Sequence, residues 1–495
     1  MQARHYIHLF FLPKSLINFA HYMATKIVEQ CRVAPPSGAP AEQLLKLVHM
    51  DMPPLCVPNS VKTLFFYKLR CSESHFMDII VPSLKNSLSL TLKHFPPLAG
   101  KILIDNNSGM PVSQYVDGQD SLSLTIAVSY ADFLSLTGYH PRDAAQLHGF
   151  APDLSDIFTP TTKLSVFAIQ LTLFPNQGVC VGITGNHAIA DGATLLLFLK
   201  KWACINKFNG DDSASGGKEC LPVYDRDLVW DGDRRAMECW RVVSNWMSLS
   251  SSFPSIVSFQ EHMVEATFAL SVGEIQKLKN LVIIAAANSK KREGVIRVSS
   301  FVVACAHLWT CLAKSAATAG DQEVGDDEPD YLSFPINCRG RLNQPLPDNY
   351  FGNCTVLAIT ESTYGKLRGK EGFLVAAERI SGSIDKTIGN GIDGSPKFYL
   401  DFLGRLGEMV GKRMLCVGGY PGLDFYGTEF GWGRPIKFEA LQRTDFQVAF
   451  FSNSRENRGG LEICVSMSKV KMDAFAASFN LGIAQATEQK LGCKM

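Results

Sequence analysis

Gly182-Ile183-Thr184-Gly185-Asn186-His187-Ala188-Ile189-Ala190-Asp191-Gly192 is the stretch whose reading decides the fold. Upstream, Val179 to Thr184 is a β-branched run opened by the turn signal Pro175-Asn176-Gln177-Gly178, which predicts a strand. Downstream, Ala193 to Ala203 predicts a buried helix, with Asp191 as its candidate N-cap. His187 therefore falls where a strand stops and a helix begins, a place where rigid scaffolds present working side chains. A lone histidine reads first as a structural one. Gly185, Ala188, Ala190 and Gly192 shift that reading, because side chains this small leave room for a substrate to reach the ring.

At 495 residues the chain exceeds one ordinary core, and two domains are expected. With 46% hydrophobic and 19% charged residues, the composition is that of a soluble globular protein. The net charge of +1 excludes a global field for nucleic acid or a membrane surface, but leaves room for a local basic site. Fourteen cysteines include no C-x-x-C pair and no zinc spacing, so reduced thiols and a cytoplasmic location are expected. Cys305 and Cys311 lie in an apolar helical run and read as core packing. No run of 18 or more apolar residues occurs, so no transmembrane helix is expected. Residues 1–22 lack any acidic residue and a clean cleavage site; they read as a disposable extension before Met23.

Further along, strands are expected at Ile27–Val33, Val61–Leu69, Ile102–Ile104, Leu122–Val128 and Leu164–Leu173, the last pairing with the strand that delivers His187. Pro82 to Thr91 predicts a helix, with proline in its first turn and leucines recurring at i+4. The polar, Gly/Ser-rich stretch from Gly210 to Glu219 is the clearest linker. It divides a first domain (23–209), a crossover (210–235) and a second domain (236–495). In the second, strands are expected at Glu265–Leu270 and Leu332–Asn337, and a closing hairpin from Val448–Phe451 and Leu461–Val465. Helices are expected at Val272–Ala287 (after Ser271, with Glu274 in its first turn), Ser299–Ser315, Gly372–Ile388 and Met472–Leu481. No fixed-period repeat is found.

The remaining motifs are weighed by what their chemistry needs. Gly389-Asn390-Gly391-Ile392-Asp393-Gly394 mimics a dinucleotide fingerprint, but follows a helix and runs into Ser395-Pro396, so it reads as a loop. No phosphate loop, no G-x-S-x-G elbow and no metal cluster beside His187 occur. Tyr426 to Pro435 (Tyr-Gly-Thr-Glu-Phe-Gly-Trp-Gly-Arg-Pro) places glycines around two aromatics and reads as a shaped loop or a packed turn. Asn349-Tyr350-Phe351-Gly352-Asn353-Cys354 alone could be any strand entry.

Taken together, these stretches carry a resemblance. His187-Ala188-Ile189-Ala190-Asp191 resembles the H-x-x-x-D motif of the plant BAHD acyl-CoA-dependent acyltransferases, and Glu429-Phe430-Gly431-Trp432-Gly433 is similar to their D-F-G-W-G. Phe95-Pro96-Pro97-Leu98-Ala99-Gly100 resembles a recurring F-x-P-L-A-G segment, and Tyr350 to Cys354 the Y-F-G-N-C string of the anthocyanin and flavonoid branch. The resemblance runs from about Lys26 to the terminus. It implies an α/β fold of two chloramphenicol acetyltransferase-like domains with mixed sheets and a solvent channel between them. It implies a monomer with no permanently bound cofactor and no metal, acyl-CoA as cosubstrate, and a small phenolic glycoside as acceptor.

His187 would then be the base, since a hydroxyl attacks a thioester poorly until its proton is taken; imidazole bases contribute about 10²–10⁴-fold. No covalent acyl-enzyme is required. Asp191 is expected to fix the turn and meet a basic partner. The resemblance points to the Trp432 indole N–H as oxyanion donor, and to a structural ion pair between Arg339 and the first residue of the C-terminal signature. That residue is Glu429 here, where the family has Asp; Asn337 likewise replaces a frequent Asp. Two other readings remain: transfer to a non-glycosidic alcohol or amine, and a non-catalytic relative that kept the fold.

Overall fold

Among the described residues seventeen strands, numbered in chain order, sort into three sheets. The computed structural model describes residues 25–56, 60–154, 163–213, 221–229, 233–250, 263–288, 296–318, 324–389, 404–405, 409, 411–419, 421–441 and 447–492. The expected extension 1–22, most of the Gly210–Glu219 linker and nearly all of the Gly389–Gly394 string lie outside them.

The first sheet runs in the order β1 (Thr25–Val33), β6 (Leu122–Ser129), β9 (Phe167–Phe174), β10 (Gly178–Asn186), β3 (Ser60–Lys68), β15 (Lys437–Leu441). The second runs β13 (Thr355–Thr363), β12 (Pro329–Asn337), β14 (Arg413–Gly419), β16 (Gln447–Asn453), β17 (Leu461–Ser468), β11 (Met263–Leu270), β7 (Arg142–Asp143). A small sheet joins β2 (Glu42–Lys46), β5 (Pro111–Val116), β4 (Lys101–Ile104) and β8 (Leu164–Ser165). Both large sheets are mixed, with parallel pairs β6–β9, β12–β14 and β14–β16 among antiparallel ones. Each large sheet takes an edge strand from the other half of the chain: β15 pairs with β3, and β7 with β11.

The long helices are α1 (Val81–Leu92), α2 (Gly192–Lys207), α3 (Asp233–Ser250), α4 (Val272–Asn288), α5 (Ser300–Thr318), α6 (Gly372–Gly389) and α7 (Lys469–Gly492). The strand, helix and hairpin expectations hold in type and place. The Leu164–Leu173 strand is divided at Val166, its first two residues joining the small sheet. Pro82 sits in the first turn of α1. Ser271 and Glu274 form a reciprocal capping box at α4, with Glu274 Oε2 2.8 Å from the Ser271 amide. α5 is long and apolar enough to cross a membrane, but 78% of that window is buried within the protein, as expected of an all-apolar core helix. Its Cys305 and Cys311 are buried free thiols.

β10 is covered on both faces, which explains its unbroken apolar run. Val179, Val181 and Ile183 join the main core with Leu84 and Leu88 of α1 and Phe198 and Trp202 of α2. Cys180 faces a separate cluster around Phe66, Phe150 and Phe174. A side chain at Gly182 would collide with the Phe150 carbonyl, so only glycine lets that loop lie against the strand.

The crossover is more than a spacer. Val223 bridges to Tyr350, the Tyr224 hydroxyl donates to the His94 carbonyl (2.7 Å), and Arg226 is buried. α3, assigned above to the second domain, packs against residues 49–56 of the first.

Candidate active site

β10 ends at Asn186, and the chain turns through His187, Ala188 and Ile189 into α2. Asn186 fixes that turn: its amide donates to the Val166 carbonyl (2.8 Å) and its side-chain oxygen accepts from the Ala188 amide (2.9 Å). Ala188 and Ile189 are fully buried, whereas the His187 ring keeps part of its surface exposed. Its Nδ1 is buried and meets no hydrogen-bond partner among the described residues, so Nε2 is the nitrogen a substrate can reach. A cavity of about 290 Å³ is lined by residues that include Arg32, Lys101, Ser121, Ser165 and Phe167, but by none of β10 or the His187 turn. Phe167 pairs in register with Gly185, two residues before the histidine.

Asp191 is the N-cap of α2, accepting from the Thr194 amide at 3.0 Å. Its carboxylate also receives both Arg339 guanidinium nitrogens, at 2.7 and 2.9 Å, and the Cys354 amide at 3.1 Å. Both partners of this ion pair are 3% exposed. Burial alone would raise the Asp191 carboxyl; the Arg339 charge and the four hydrogen bonds outweigh it and hold the carboxyl below its ordinary range. Asp191 thus points away from catalysis and ties the helix start to the second half of the chain.

The expected Arg339–Glu429 pair is not formed. Arg339 is taken by Asp191 and by the carbonyls of Tyr350 and Gly352 (3.3 and 3.2 Å), while Glu429 pairs with Lys207 at 2.8 Å on the surface. The first half supplies the buried carboxylate, and the signature carboxylate meets a nearer lysine.

Trp432 is also misplaced as an oxyanion donor. Its indole stacks on Phe430 (5.5 Å) and meets Tyr67 edge-on (5.7 Å). The Phe430 carbonyl accepts from Asn206, and Gly431 lies against Lys207, at the C-terminal end of α2. Fifteen helical residues separate Lys207 from Gly192, about 22 Å at 1.5 Å per residue. Tyr67 is in register with Val179, eight residues before His187, about 26 Å along an extended strand. Two independent rulers therefore put the indole at the wrong end of both elements that flank His187. Phe430, Trp432 and the Lys207–Glu429 pair fasten the loop to α2 and β3.

The Tyr350–Cys354 segment is where the second half reaches the histidine. The Asn353 side-chain nitrogen donates to the His187 carbonyl at 2.8 Å and to Asp51 Oδ1 at 2.9 Å. Gly352 exchanges hydrogen bonds with the Thr194 hydroxyl (3.1 and 3.0 Å) at a φ of +129°, and a Cβ there would strike Arg226. Arg226 donates to the Tyr350 hydroxyl at 2.7 Å and lies 3.5 Å from Asp51 Oδ2. Phe351 packs on Phe95 and Tyr224. The Cys354 thiol is fully buried, and burial raises its pKa, so it is no nucleophile. Among the described residues no group of three or more His, Cys, Asp or Glu could hold a metal ion.

Asp51 and Arg226 are the residues that sequence reasoning missed. Burial pushes the Asp51 carboxyl up against the pull of Arg226, Asn353 and the Val48 amide. A capping-like Asp after His49-Met50, and an arginine in the linker, carry no signal of their own.

The geometry can be set beside known proteins. The Transferase family model matches residues 23–481. The chain is 37% identical to phenolic glucoside malonyltransferase 1 of Nicotiana tabacum, over 92% of this chain and 99% of that one. It is 33% identical to coumaroyl-CoA:anthocyanidin 3-O-glucoside-6''-O-coumaroyltransferase 1 of Arabidopsis thaliana, over 94% and 98%. In fold it is similar to the crystal structure of vinorine synthase, with a TM-score of 0.62 at 21% identity, covering 91% and 96%. Motifs in register, the two mixed sheets and the His187 turn agree with these matches along nearly the whole length: the chain belongs to the Transferase family, the BAHD acyltransferases.

Proposed function

We propose that this protein transfers a malonyl or hydroxycinnamoyl group from CoA to a sugar hydroxyl of a phenolic glycoside, with His187 as the base. The observation that carries the reading is the partly exposed His187 ring, held at a strand–helix turn by both halves of the chain. Relatives named as malonyl and coumaroyl transferases of glucosides support the donor and acceptor classes. We take the protein to act as a monomer, with the contacts that hold His187 made within one chain.

The acceptor hydroxyl gives its proton to His187 Nε2 while its oxygen attacks the thioester carbonyl. The carbon–sulfur bond then breaks, and the departing thiolate recovers the proton from the imidazolium. Direct transfer is supported by the thiols around the site: burial pushes Cys338 up to about 12 and Cys354 higher still, so neither offers a thiolate at neutral pH.

The test is release of free CoA thiol from malonyl-CoA and p-coumaroyl-CoA, with and without a flavonoid or simple phenolic glucoside. Acceptor-dependent release, lost by about 10²-fold or more in His187→Ala, is expected. Release without acceptor marks a thioesterase, preference for an aliphatic alcohol or polyamine moves the acceptor class, and an undiminished His187→Ala removes the base.

A further inference from the structure

We infer that Asn353, locked by the buried carboxylate of Asp51, is a positioning residue that fixes the backbone of His187 for proton transfer. The inference rests on the acyl-transfer reading above. Asp51 is fully buried in the first half of the chain, before β3. Its Oδ1 accepts from the Asn353 amide at 3.1 Å and from the Asn353 side chain at 2.9 Å. Its Oδ2 accepts from the Val48 amide at 3.0 Å and lies 3.5 Å from Arg226. Every group named here presents hydrogen to Asp51, which only a carboxylate satisfies on both oxygens.

That arrangement dictates the orientation of Asn353. With Oδ1 of Asp51 accepting on one side, the amide nitrogen of Asn353 must face it, and its second hydrogen is aimed at the His187 carbonyl 2.8 Å away. The His187 ring gains no such restraint of its own, since Nδ1 has no partner among the described residues. The backbone carbonyl is therefore the handle by which the ring is held, and the hand belongs to the other half of the chain. A base displaced by about 1 Å can lose about 10²-fold in rate without any loss of binding.

Asn353→Ala is expected to lower kcat by about 30- to 100-fold and leave both KM values within about twofold. Asp51→Asn places a donor among donors, and is expected to lower both kcat and the thermal midpoint. The deciding protein is the swap, Asp51→Asn with Asn353→Asp. It returns one carboxylate and one amide to the cluster, but one backbone amide, of Val48 or of residue 353, still faces a donor and a carboxylate now faces the His187 carbonyl, so the thermal midpoint should recover only part of what Asp51→Asn lost. An aspartate at 353 cannot donate to the His187 carbonyl, so kcat should stay low. Recovery of kcat together with the midpoint would make the cluster a packing device and overturn the inference. So would an Asn353→Ala protein with wild-type kcat, or one whose loss is wholly in KM. If Asn353→Ala does not fold, the swap decides alone. Wild-type protein without acceptor-dependent turnover overturns the acyl-transfer reading itself, whereas an active wild type with a fully active swap overturns only the role of Asn353.

Discussion

Neutralising Asp191 should cost far more than a surface charge would. Asp191→Asn keeps the volume and can still cap α2 through its amide oxygen, but it takes the Asp191 charge away from the Arg339 guanidinium, which is 3% exposed. Its other partners include carbonyls at 3.2 and 3.3 Å and a hydroxyl at 3.5 Å, which accept hydrogen but carry no charge. Breaking one side of a buried pair costs about 3–5 kcal/mol, whereas a surface pair is worth about 0–1. The Asn amide nitrogen also faces the Cys354 amide, 3.1 Å from the present carboxylate, adding a donor–donor contact. Arg339→Gln should destabilise in the same range, and the double variant by less than the sum, because neutral Asn and Gln can bond each other. Urea denaturation followed by intrinsic fluorescence, run on all four proteins, measures the coupling. Because Asp191 titrates below its ordinary value in the folded protein, its contribution is present in full above about pH 5, declines as pH falls below the ordinary carboxyl value, and is lost once pH passes the depressed one. Singles that each cost under about 1 kcal/mol and add without coupling would refute the buried pair as the fastening between the halves.

Two further outcomes follow from other sites. Glu265 is fully buried, and desolvation, reinforced by the charge of Glu439, raises its pKa to about 8 from 4.5. An acid raised on folding is progressively unfavourable as pH climbs from the unfolded to the folded value, so Glu265→Gln should raise the thermal midpoint at pH 8 and change it little at pH 4.5. A constant difference across that range would exclude the carboxyl's titration. Trp432→Phe, far from His187 by both rulers, should leave kcat nearly unchanged while lowering the thermal midpoint; a 10²–10³-fold fall in kcat, the usual cost of a lost oxyanion donor, would restore the indole to the reaction.

The strand, the turn and α2 were legible because local chemistry decides them: a β-branched run, small residues, and an aspartate placed to cap. The same holds for the Ser271–Glu274 box and the α5 core helix. What could not be read was set by contacts across the chain. Asp51 meets Asn353 across 302 positions, and neither residue type announces that meeting. β15 escaped notice because Lys437 and Glu439, both buried, break the continuous apolar run that a strand covered on both faces usually shows. Arg339 was recognised as a structural cation but given the wrong anion, since two carboxylates were available and only tertiary geometry selects between them. Trp432 shows the converse: order along the chain placed the motif, but carried no distance to the histidine.

The exchange of edge strands restricts how the molecule can breathe. β15 is zipped to β3 from Lys437 opposite Phe66 to Leu441 opposite Lys62, so the halves cannot swing apart like a clamshell without unpicking a ladder of backbone bonds. Admission of a bulky glycoside must then be managed by side chains and connecting segments at the rim, not by gross opening. Amide exchange at Lys437–Leu441 as slow as at the centre of β10, with or without substrate, is the signature of such a riveted body.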